Sequence, residues 1–274
     1  MTSSIHNTDM STHSLAPSRE QLRQLSLSAL ATLGFFLLWE MGCMAFHVSS
    51  LVLPKPSEIA SVLWVKFPLL LPHATQTLYT TLVGFVAGVV GGIVLGALIG
   101  SSKLAYDVAY PLLVGFSCIP KVAVVPIFVV WFGSGTVPAI LTSAVISVFP
   151  VVVNVATGLA STEPELEDVF KVLGASQWDL LINVGLPRTL PYLFASMKIA
   201  VTLSFVGTVL SETVAANKGI GNVMMIASGN FDVPLVFAGL FLLAIMGVVL
   251  YALFALMEFK LTGWAQRKNE LAMA

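Results

Sequence analysis

Charged residues are scarce in this sequence. Asp, Glu, Lys and Arg make up 10% of the 274 residues, whereas 57% are hydrophobic and the mean hydropathy is +0.93. Soluble domains carry about a quarter charged residues, so this composition excludes an ordinary soluble fold. The net charge of −1 and the lack of a basic block also argue against nucleic-acid binding. The sequence therefore predicts an all-α integral membrane protein.

Residues that commonly carry chemistry are also few. The two cysteines, Cys43 and Cys118, both lie in apolar runs, which indicates small hydrophobic side chains and neither a disulfide nor a metal pair. The four histidines show no metal-ligand spacing, and there is no Gly-rich phosphate loop. We therefore expect no catalytic residue, no metal site and no cofactor in this chain. Any source of energy has to come from another protein.

Long apolar runs are what the sequence has in abundance. About 20 apolar residues in a helix cross a bilayer, and on that basis six spans are predicted within a membrane domain at 25–264. Polar tails at 1–24 and 265–274 flank it. Four prolines at 51–73 predict a loop and a short interfacial helix that begins near Ser57. The predicted spans are 25–46, 75–100, 110–132, 137–158, 192–212 and 235–257.

The distribution of lysine and arginine predicts the orientation of these spans. If the N-terminus is cytoplasmic, nine basic residues lie on that side and three on the other, which agrees with the positive-inside rule. Six spans then return the C-terminus to the cytoplasm. The nine are Arg19, Arg23, Lys103, Lys171, Arg188, Lys198, Lys260, Arg267 and Lys268; the three are Lys55, Lys66 and Lys218.

The second span contains five glycines at intervals of four residues. Membrane helices associate through close backbone approach, so a row of glycines on one face predicts a packing surface. That surface can pack within this subunit or against a second subunit, and we favour the first. The row consists of Gly84, Gly88, Gly92, Gly96 and Gly100.

Lys121 lies near the middle of the third span, which Pro111, Pro120 and Pro126 interrupt. Free backbone carbonyls and a buried cation are tolerated at membrane depth only where they face protein or a water-filled cavity. This span is therefore the best candidate for lining a translocation path. The alternative is that Lys121 forms a structural pair with a carboxylate on a neighbouring helix, and the sequence leaves both open.

Two further polar residues lie in or at the end of later spans. Asn154, in the fourth span, can form hydrogen bonds across helices. Glu212 ends the fifth span and precedes a turn that contains Gly219 and Gly221. We include both residues with Lys121 in a hypothetical translocation path, and we expect Glu212 to lie towards its outer gate.

Residues 161–191 form a charged, amphipathic segment between two apolar spans. It is too polar to cross a bilayer, yet it carries exposed apolar residues, which indicates either the headgroup region or a protein partner. Two short helices are predicted, with a bend between them at Gly174-Ala175. Pro187 and Pro191 close the second helix. The two candidate capping pairs are Thr162 with Glu165 and Ser176 with Asp179.

The spacing of Asp168, Gly174 and the sequence Val184-Gly185-Leu186-Pro187 resembles the cytoplasmic EAA loop of ABC importer permeases. Two differences from that pattern occur: Asp168 replaces glutamate, and Val169-Phe170 replace two alanines. In that family the loop docks into a cleft of the ATPase subunit and transmits its motion. The resemblance therefore implies ATPase-coupling roles for Asp168, Gly174, Ala175, Trp178, Leu186 and Pro187.

Other stretches resemble permeases of the nitrate, sulfonate, taurine and bicarbonate type. They are the Leu-Pro-x-Pro element that begins at Leu53, the Ile119-Pro120-Lys121 stretch, and Glu212 with its following turn. The resemblance implies a type I ABC importer permease fold in a bacterial inner membrane. It also implies two ATPase subunits that hold ATP and magnesium, a second permease subunit, which we expect to be a second copy of this chain, and an external solute-binding protein.

The same resemblance implies a small anion as the solute, such as a sulfonate, taurine, nitrate or bicarbonate, or alternatively a pyrimidine or vitamin precursor. Functions of other classes fit less well. An ion-coupled secondary carrier predicts inverted repeats and several intramembrane carboxylates, and a membrane enzyme needs paired carboxylates or a His/Ser constellation. Neither feature is found in the sequence.

Overall fold

The computed structural model describes residues 19–160, 170, 172–174, 176, 179 and 181–272, and every regular element within these residues is helical. Five helices are long and apolar enough to cross a membrane, and a bent pair raises the number to six if it counts as one span. The helices are α1 (Arg19–Ala45), α2 (Pro56–Val65), α3 (Phe67–Gly100), α4 (Lys103–Ser117), α5 (Val125–Phe132), α6 (Thr136–Ala160), α7 (Leu186–Ala215), α8 (Ile220–Gly229) and α9 (Val233–Ala272).

Helices α3 and α6 run parallel to each other in close contact. Gly84 faces Ser143 and Gly100 faces Leu159. The facing residues are 59 positions apart in the sequence at both ends of the interface, as expected for parallel helices. The start of α6 at Thr136 is therefore level with Thr77. Between Gly100 and Thr136 the chain therefore returns along the bundle by the length of about 23 helical residues, or roughly 35 Å. Because a hydrocarbon core is about 30 Å thick, α4 and α5 together make a sixth crossing.

The predicted third span, 110–132, is not a single helix. It is divided between α4, a 3₁₀ turn at Lys121–Val124 and α5, and the two halves are bent by 79°. The break follows from Pro120, whose backbone is extended at ψ 96° and whose ring disfavours a helical conformation at Ile119. Helix α4 begins at Lys103, seven residues before the predicted start of this span.

Helices α3, α6 and α7 form the centre of the bundle. Helix α7 runs antiparallel to α6, because Ser204 meets Ser143 near one end and Thr189 meets Gly158 near the other. Helix α9 packs on α3 through an edge-to-face contact between Phe254 and Phe85, with ring centroids 4.8 Å apart. Helix α1 lies outside this core and contacts α9 through a cluster that consists of Phe36, Trp39, Phe237 and Phe241.

Several helices extend beyond the predicted spans. Helix α3 begins at Phe67 and not at 75, because Pro68 occupies its first turn, where no intrahelical N–H bond is lost; Pro72 is accommodated further in. Helix α9 likewise continues to Ala272 and not to 257. Helix α7 begins at Leu186, after a π-helical turn at Leu181–Gly185, so the predicted segment 161–191 ends about five residues early.

Polar contacts fix the chain at the end of the bundle where α3 begins. Lys66 Nζ lies 2.8 Å from Asp232 Oδ2, which joins the α2–α3 junction to the start of α9. Glu40 of α1 accepts hydrogen bonds from the Ser57 N–H at 3.0 Å and from its hydroxyl at 2.7 Å. Glu40 therefore caps the short helix α2, which begins at Pro56, close to the predicted start.

Candidate functional site

The row of glycines in α3 packs against α6 within this chain. A Cβ added to Gly96 would lie 2.8 Å from the Val155 Cβ, and one added to Gly100 would lie 2.8 Å from the Leu159 Cβ. Such separations leave no room for a side chain. The backbone of α3 therefore lies directly against α6, and side chains of α6 fill the space that the glycines leave.

Lys121 lines a cavity of 330 Å³ beside the midpoint of α6, and we call it the Lys121 cavity. The Lys121 Nζ donates a hydrogen bond to the Ser117 carbonyl at 3.0 Å and lies 4.8 Å from the centroid of the Phe149 ring. Within the described residues, no carboxylate lies at ion-pair distance from it. Other residues that line the cavity are Ile146, Pro150, Val153, Asn154 and Leu203.

The ammonium group of Lys121 therefore has two N–H donors that no described residue accepts. Its charge is compensated by one carbonyl and by the face of an aromatic ring, a contact worth about 0.5–2 kcal/mol. The structural pair with a carboxylate, which the sequence left open for Lys121, is not present in the part of the chain that the structure describes. The arrangement leaves a cation available to an anion or to water in the cavity.

Asn154 lies at the edge of the same cavity. Its Nδ2 donates to the Pro150 carbonyl at 2.8 Å, so the bond lies within α6 and does not cross to another helix. The pair of Lys121 and Asn154 is therefore brought together by the fold. Sequence reasoning missed Phe149, which sits one residue before Pro150 and supplies the aromatic face.

Glu212 lies elsewhere, at the end of the bundle where α3 begins. Its Oε2 accepts hydrogen bonds from the Thr77 hydroxyl at 2.9 Å and from the Gly221 N–H at 3.1 Å. The same Thr77 oxygen accepts the Ile220 N–H at 2.9 Å, and the Gly219 N–H donates to His73 Nδ1 at 3.2 Å. These bonds attach the start of α8 to both α3 and α7.

The glycines that follow Glu212 are required by its carboxyl group. Gly219 has a φ of 122°, which favours glycine, and a Cβ there would overlap the Glu212 carboxyl group. A Cβ on Gly221 would lie 2.8 Å from the Glu212 Cβ. The Glu and Gly-x-Gly pattern recognised in the sequence is thus one compact unit, in which the turn wraps around the carboxylate.

A second cavity, of 290 Å³, adjoins Glu212, and we call it the Glu212 cavity. Gln76 Nε2 donates to the Thr80 hydroxyl at 3.2 Å and to the Thr136 hydroxyl at 3.3 Å along its wall. The sequence analysis missed these residues, although Gln76, Thr77, Thr80 and Thr81 form a polar patch with helical spacing in an apolar span. The remaining lining residues are Gly135, Ala139, Ala216, Asn217 and Lys218.

Most of the described residues between α6 and α7 are exposed, whereas Phe170 is half-buried and Gly185 is buried. Gly174 has a φ of 82°, and nothing lies within 4 Å of a Cβ placed there. Val172 and Leu173 are 87% and 76% exposed. Asp168, Ala175 and Trp178 lie outside the described residues, as does the first capping pair, Thr162 with Glu165. The side chains of Leu186 and Pro187 are not described, but both residues belong to the first turn of α7.

The second predicted capping pair is confirmed. Asp179 Oδ2 accepts the Ser176 N–H at 2.9 Å and the Ser176 hydroxyl at 2.6 Å, while the Asp179 N–H lies 3.2 Å from the Ser176 Oγ. The hydroxyl and the N–H of Ser176 hold the pKa of the Asp179 carboxyl below its usual value. The left-handed Gly174 therefore lies two residues before this cap, and the two short helices predicted around it extend over residues outside the described part of the chain.

These features define a class: a multi-pass helical membrane protein with a tightly packed core, a mid-bundle cavity that Lys121 enters and an exposed, capped connection between two core helices. Residues 88–263 match the family of binding-protein-dependent transport system inner membrane components. The chain belongs to this family and is a permease subunit of an ABC importer. Its predicted all-α membrane fold is confirmed.

Curated relatives cover most of the chain. The riboflavin transport system permease protein RibX of Chloroflexus aurantiacus is 37% identical over 228 residues, 82% of this chain and 85% of the relative. The formylaminopyrimidine transport permease protein ThiX of Halalkalibacterium halodurans is 32% identical over 248 residues, 89% of this chain and 99% of the relative. A putative aliphatic sulfonates transport permease protein, SsuC of Bacillus subtilis, is 31% identical over 221 residues, 79% of each.

A solved structure has the same fold. A chain of the MetNI methionine ABC transporter, described as inward facing, superposes with a TM-score of 0.61 over 71% of this chain and 95% of that chain, at 20% identity. The resemblance to ABC importer permeases drawn from the sequence is therefore confirmed at the level of fold and family.

Proposed function

We propose that this permease forms the path of an ATP-driven importer and is moved by a separate ATPase through the segment between α6 and α7. The observation that carries the proposal is the exposed break at Gly174 and the cap that follows it. Val172 and Leu173, two adjacent apolar residues on a polar connection, are 87% and 76% exposed and so available to a partner surface. A cleft on an ATPase subunit would supply that surface.

The fold supports a route from this segment to the cavity. The segment continues directly into α7 and follows directly from α6, and both helices belong to the rigid core with α3. Packed interfaces shift between discrete arrangements more readily than they deform, so a displacement of the segment would move the core helices together. The Lys121 cavity lies between this core and α4, where such a movement would open or close it. This is alternating access driven from outside the chain.

The basic residues support the orientation. Lys198 lies well inside α7 and pairs with Glu258 of α9, so it carries little weight in a count of charges near the ends of the spans. Without Lys198, eight basic residues remain on the cytoplasmic side and three on the outer side, so the positive-inside bias persists. We infer that both termini and the 161–185 segment are cytoplasmic, with the Glu212 cavity towards the outer face.

The proposed partners follow from that orientation. Two ATPase subunits would engage the cytoplasmic segment and hold ATP and magnesium, so this chain would carry no cofactor and catalyse no reaction. A second copy of the chain would complete the path, and a binding protein would deliver the solute from outside. The bilayer covers the exposed apolar residues of α1, and the membrane is the bacterial inner membrane.

The proposed solute is a small anion such as a sulfonate, taurine, nitrate or bicarbonate. The two free N–H donors of Lys121 support this choice, because an anion in the cavity would accept them. A second candidate is a flat heterocycle, since Phe149 offers a ring for stacking and two relatives are named for riboflavin and formylaminopyrimidine transport. Uptake of each probe by the reconstituted complex, with its binding protein and ATP, distinguishes these solutes.

Variants at Gly174 test the coupling. Its positive φ strains any side chain, asparagine and aspartate least, although the space around it is open. Gly174→Val and Gly174→Trp should therefore reduce co-purification of the ATPase subunit, whereas Gly174→Asn should retain it. Equal recovery of the ATPase with all three variants would refute the proposed role of the segment. Gly115→Ala serves as a control for membrane insertion, because its side chain would also meet open space.

A further inference from the structure

The carboxyl group of Glu212 is buried and only partly satisfied. The residue is 1% exposed, its Oε2 accepts two hydrogen bonds, and its Oε1 has no hydrogen-bond partner among the described residues. Buried polar groups are almost always hydrogen-bonded, and exceptions call for an explanation. Glu212 also lines the Glu212 cavity, so a ligand in that space is the available partner for Oε1.

Neither protonation state is satisfied by the protein alone. If Glu212 is ionised, its charge is buried without a cation, because no described basic side chain lies within 4 Å of the carboxylate. A charge in this situation is costly unless it is paired. If Glu212 is neutral, Oε1 still lacks a partner: with the proton on Oε1 it is a buried donor without an acceptor, and with the proton on Oε2, while Thr77 donates to the His73 carbonyl at 3.1 Å, it is a buried acceptor without a donor. A positively charged ligand at Oε1 would pair with the ionised carboxylate. The carboxyl group would then not have to be neutral.

The wall of the cavity offers more acceptors than donors to such a ligand. Gln76 uses its Nε2 on the hydroxyls of Thr80 and Thr136, so its Oε1 remains available, as does a lone pair of the Thr136 oxygen. Lys218 is the single basic residue in the lining and is itself exposed. Oxygen donors suit hard cations, and the single carboxylate balances the charge of a monovalent ion.

We propose that the Glu212 cavity binds one compact monovalent cation, through Glu212 Oε1 with oxygens of Gln76 and Thr136. The cation can be an inorganic ion or the ammonium group of a small organic molecule. It would neutralise the carboxylate that holds α8 to α3 and α7, so its binding should stabilise this end of the bundle. Binding requires neither transport nor ATP, and its failure would leave the proposed transport function intact.

Thermal unfolding of the purified complex with its ATPase subunits tests the site. The melting temperature is measured at constant ionic strength while N-methylglucamine chloride is replaced by LiCl, NaCl, KCl, NH4Cl or methylammonium chloride. At a tenfold excess over Kd, the preferred cation should raise Tm by about 3–5 °C. A response to lithium, sodium or potassium indicates an inorganic ion, and a response confined to ammonium and methylammonium indicates an amino group.

Matched variants assign the response to Glu212. Glu212→Gln should abolish the rise, whereas Glu58→Gln should retain it, because Glu58 lies at the same end of the bundle but outside the cavity and bonds to Ser50. No rise with any cation, or an equal rise in Glu212→Gln, would overturn the proposal. If Glu212→Gln does not fold, Thr136→Val replaces it: the half-saturating concentration should increase at least about threefold, and an unchanged value would overturn the proposal.

Discussion

Gly92 and Val151 meet at the parallel contact between α3 and α6, where a Cβ added to the glycine would lie 2.6 Å from the Val151 Cβ. Gly91, its neighbour in the chain, would place a Cβ 3.7 Å from Val148 Cγ2, which is an ordinary van der Waals contact. The two adjacent glycines therefore differ in what surrounds them, although both lie in the middle of the same helix.

This difference predicts opposite effects of alanine at the two positions. Gly92→Ala should destabilise the protein by about 1–3 kcal/mol, because the two helices must separate. Gly91→Ala should be neutral or stabilise it by up to about 1 kcal/mol, since alanine is the better helix former. Unfolding of the two variants in mixed micelles measures both effects. Equal stability of the two variants would contradict the packing of α3 on α6.

Lys198 and Glu258 form an ion pair between α7 and α9, with 2.5 Å between Nζ and Oε2, and their side chains are 24% and 14% exposed. Removing either partner breaks the contact between two poorly solvated charges, so Lys198→Met or Glu258→Met alone should cost up to about 3 kcal/mol. The double variant Lys198→Met/Glu258→Met should recover most of that loss. A double-mutant cycle in micelles measures the coupling, and additive losses would show that the pair contributes nothing.

Lys66 and Asp232 provide the comparison for this cycle. Their side chains are more exposed, at 37% and 35%, and solvent screens such a pair. We expect Lys66→Met to cost less than about 1 kcal/mol, because exposed ion pairs rarely contribute more. A loss as large as that of Lys198→Met would show that burial is not what distinguishes the two pairs.

The long apolar helices could be predicted from the sequence because their signal is local. A run of apolar residues specifies a crossing wherever it occurs, and the five-glycine row correctly indicated a close helix contact. Helix ends were harder to place. Pro68 and Pro187 were read as breaks, but a proline in the first turn of a helix costs no hydrogen bond, so α3 and α7 begin earlier than predicted.

The two cavities could not be predicted, because they depend on residues far apart in the chain. Thr77 and Glu212 are 135 residues apart and form a hydrogen bond only once α3 and α7 have packed. Lys121 was recognised as unusual, but its aromatic neighbour Phe149 is an ordinary apolar residue within its own span. The sequence showed which polar residues lie at membrane depth; it did not show that Lys121 and Glu212 line separate cavities.

The cap between Ser176 and Asp179 should depend on pH. Hydrogen bonds from Ser176 lower the pKa of the Asp179 carboxyl in the folded protein, so its contribution is complete above the ordinary aspartate value of about 3.9 and is lost as pH falls through the lowered value. Hydrogen-exchange protection of the Ser176 amide should therefore be constant from about pH 5 to 8 and fall in more acidic solution.

Asp179→Ala is the variant for this prediction, because it removes both the charge and the acceptor. It should lower the protection of the Ser176 amide at neutral pH and abolish the acid-dependent loss. Protection that is unchanged in the variant would show that the cap does not order this segment. The rest of the bundle should be unaffected, since Ser176 and Asp179 are both exposed.

Labelling of a cysteine at position 176 tests the central claim most directly. Ser176→Cys, with Cys43 and Cys118 replaced by alanine, is treated with a membrane-impermeant maleimide in inside-out and right-side-out vesicles. We predict labelling only in inside-out vesicles, and protection when the ATPase subunits are bound. Labelling from the outer face, or equal labelling with and without the ATPase, would contradict the account that a cytoplasmic motor moves this permease through the segment between α6 and α7.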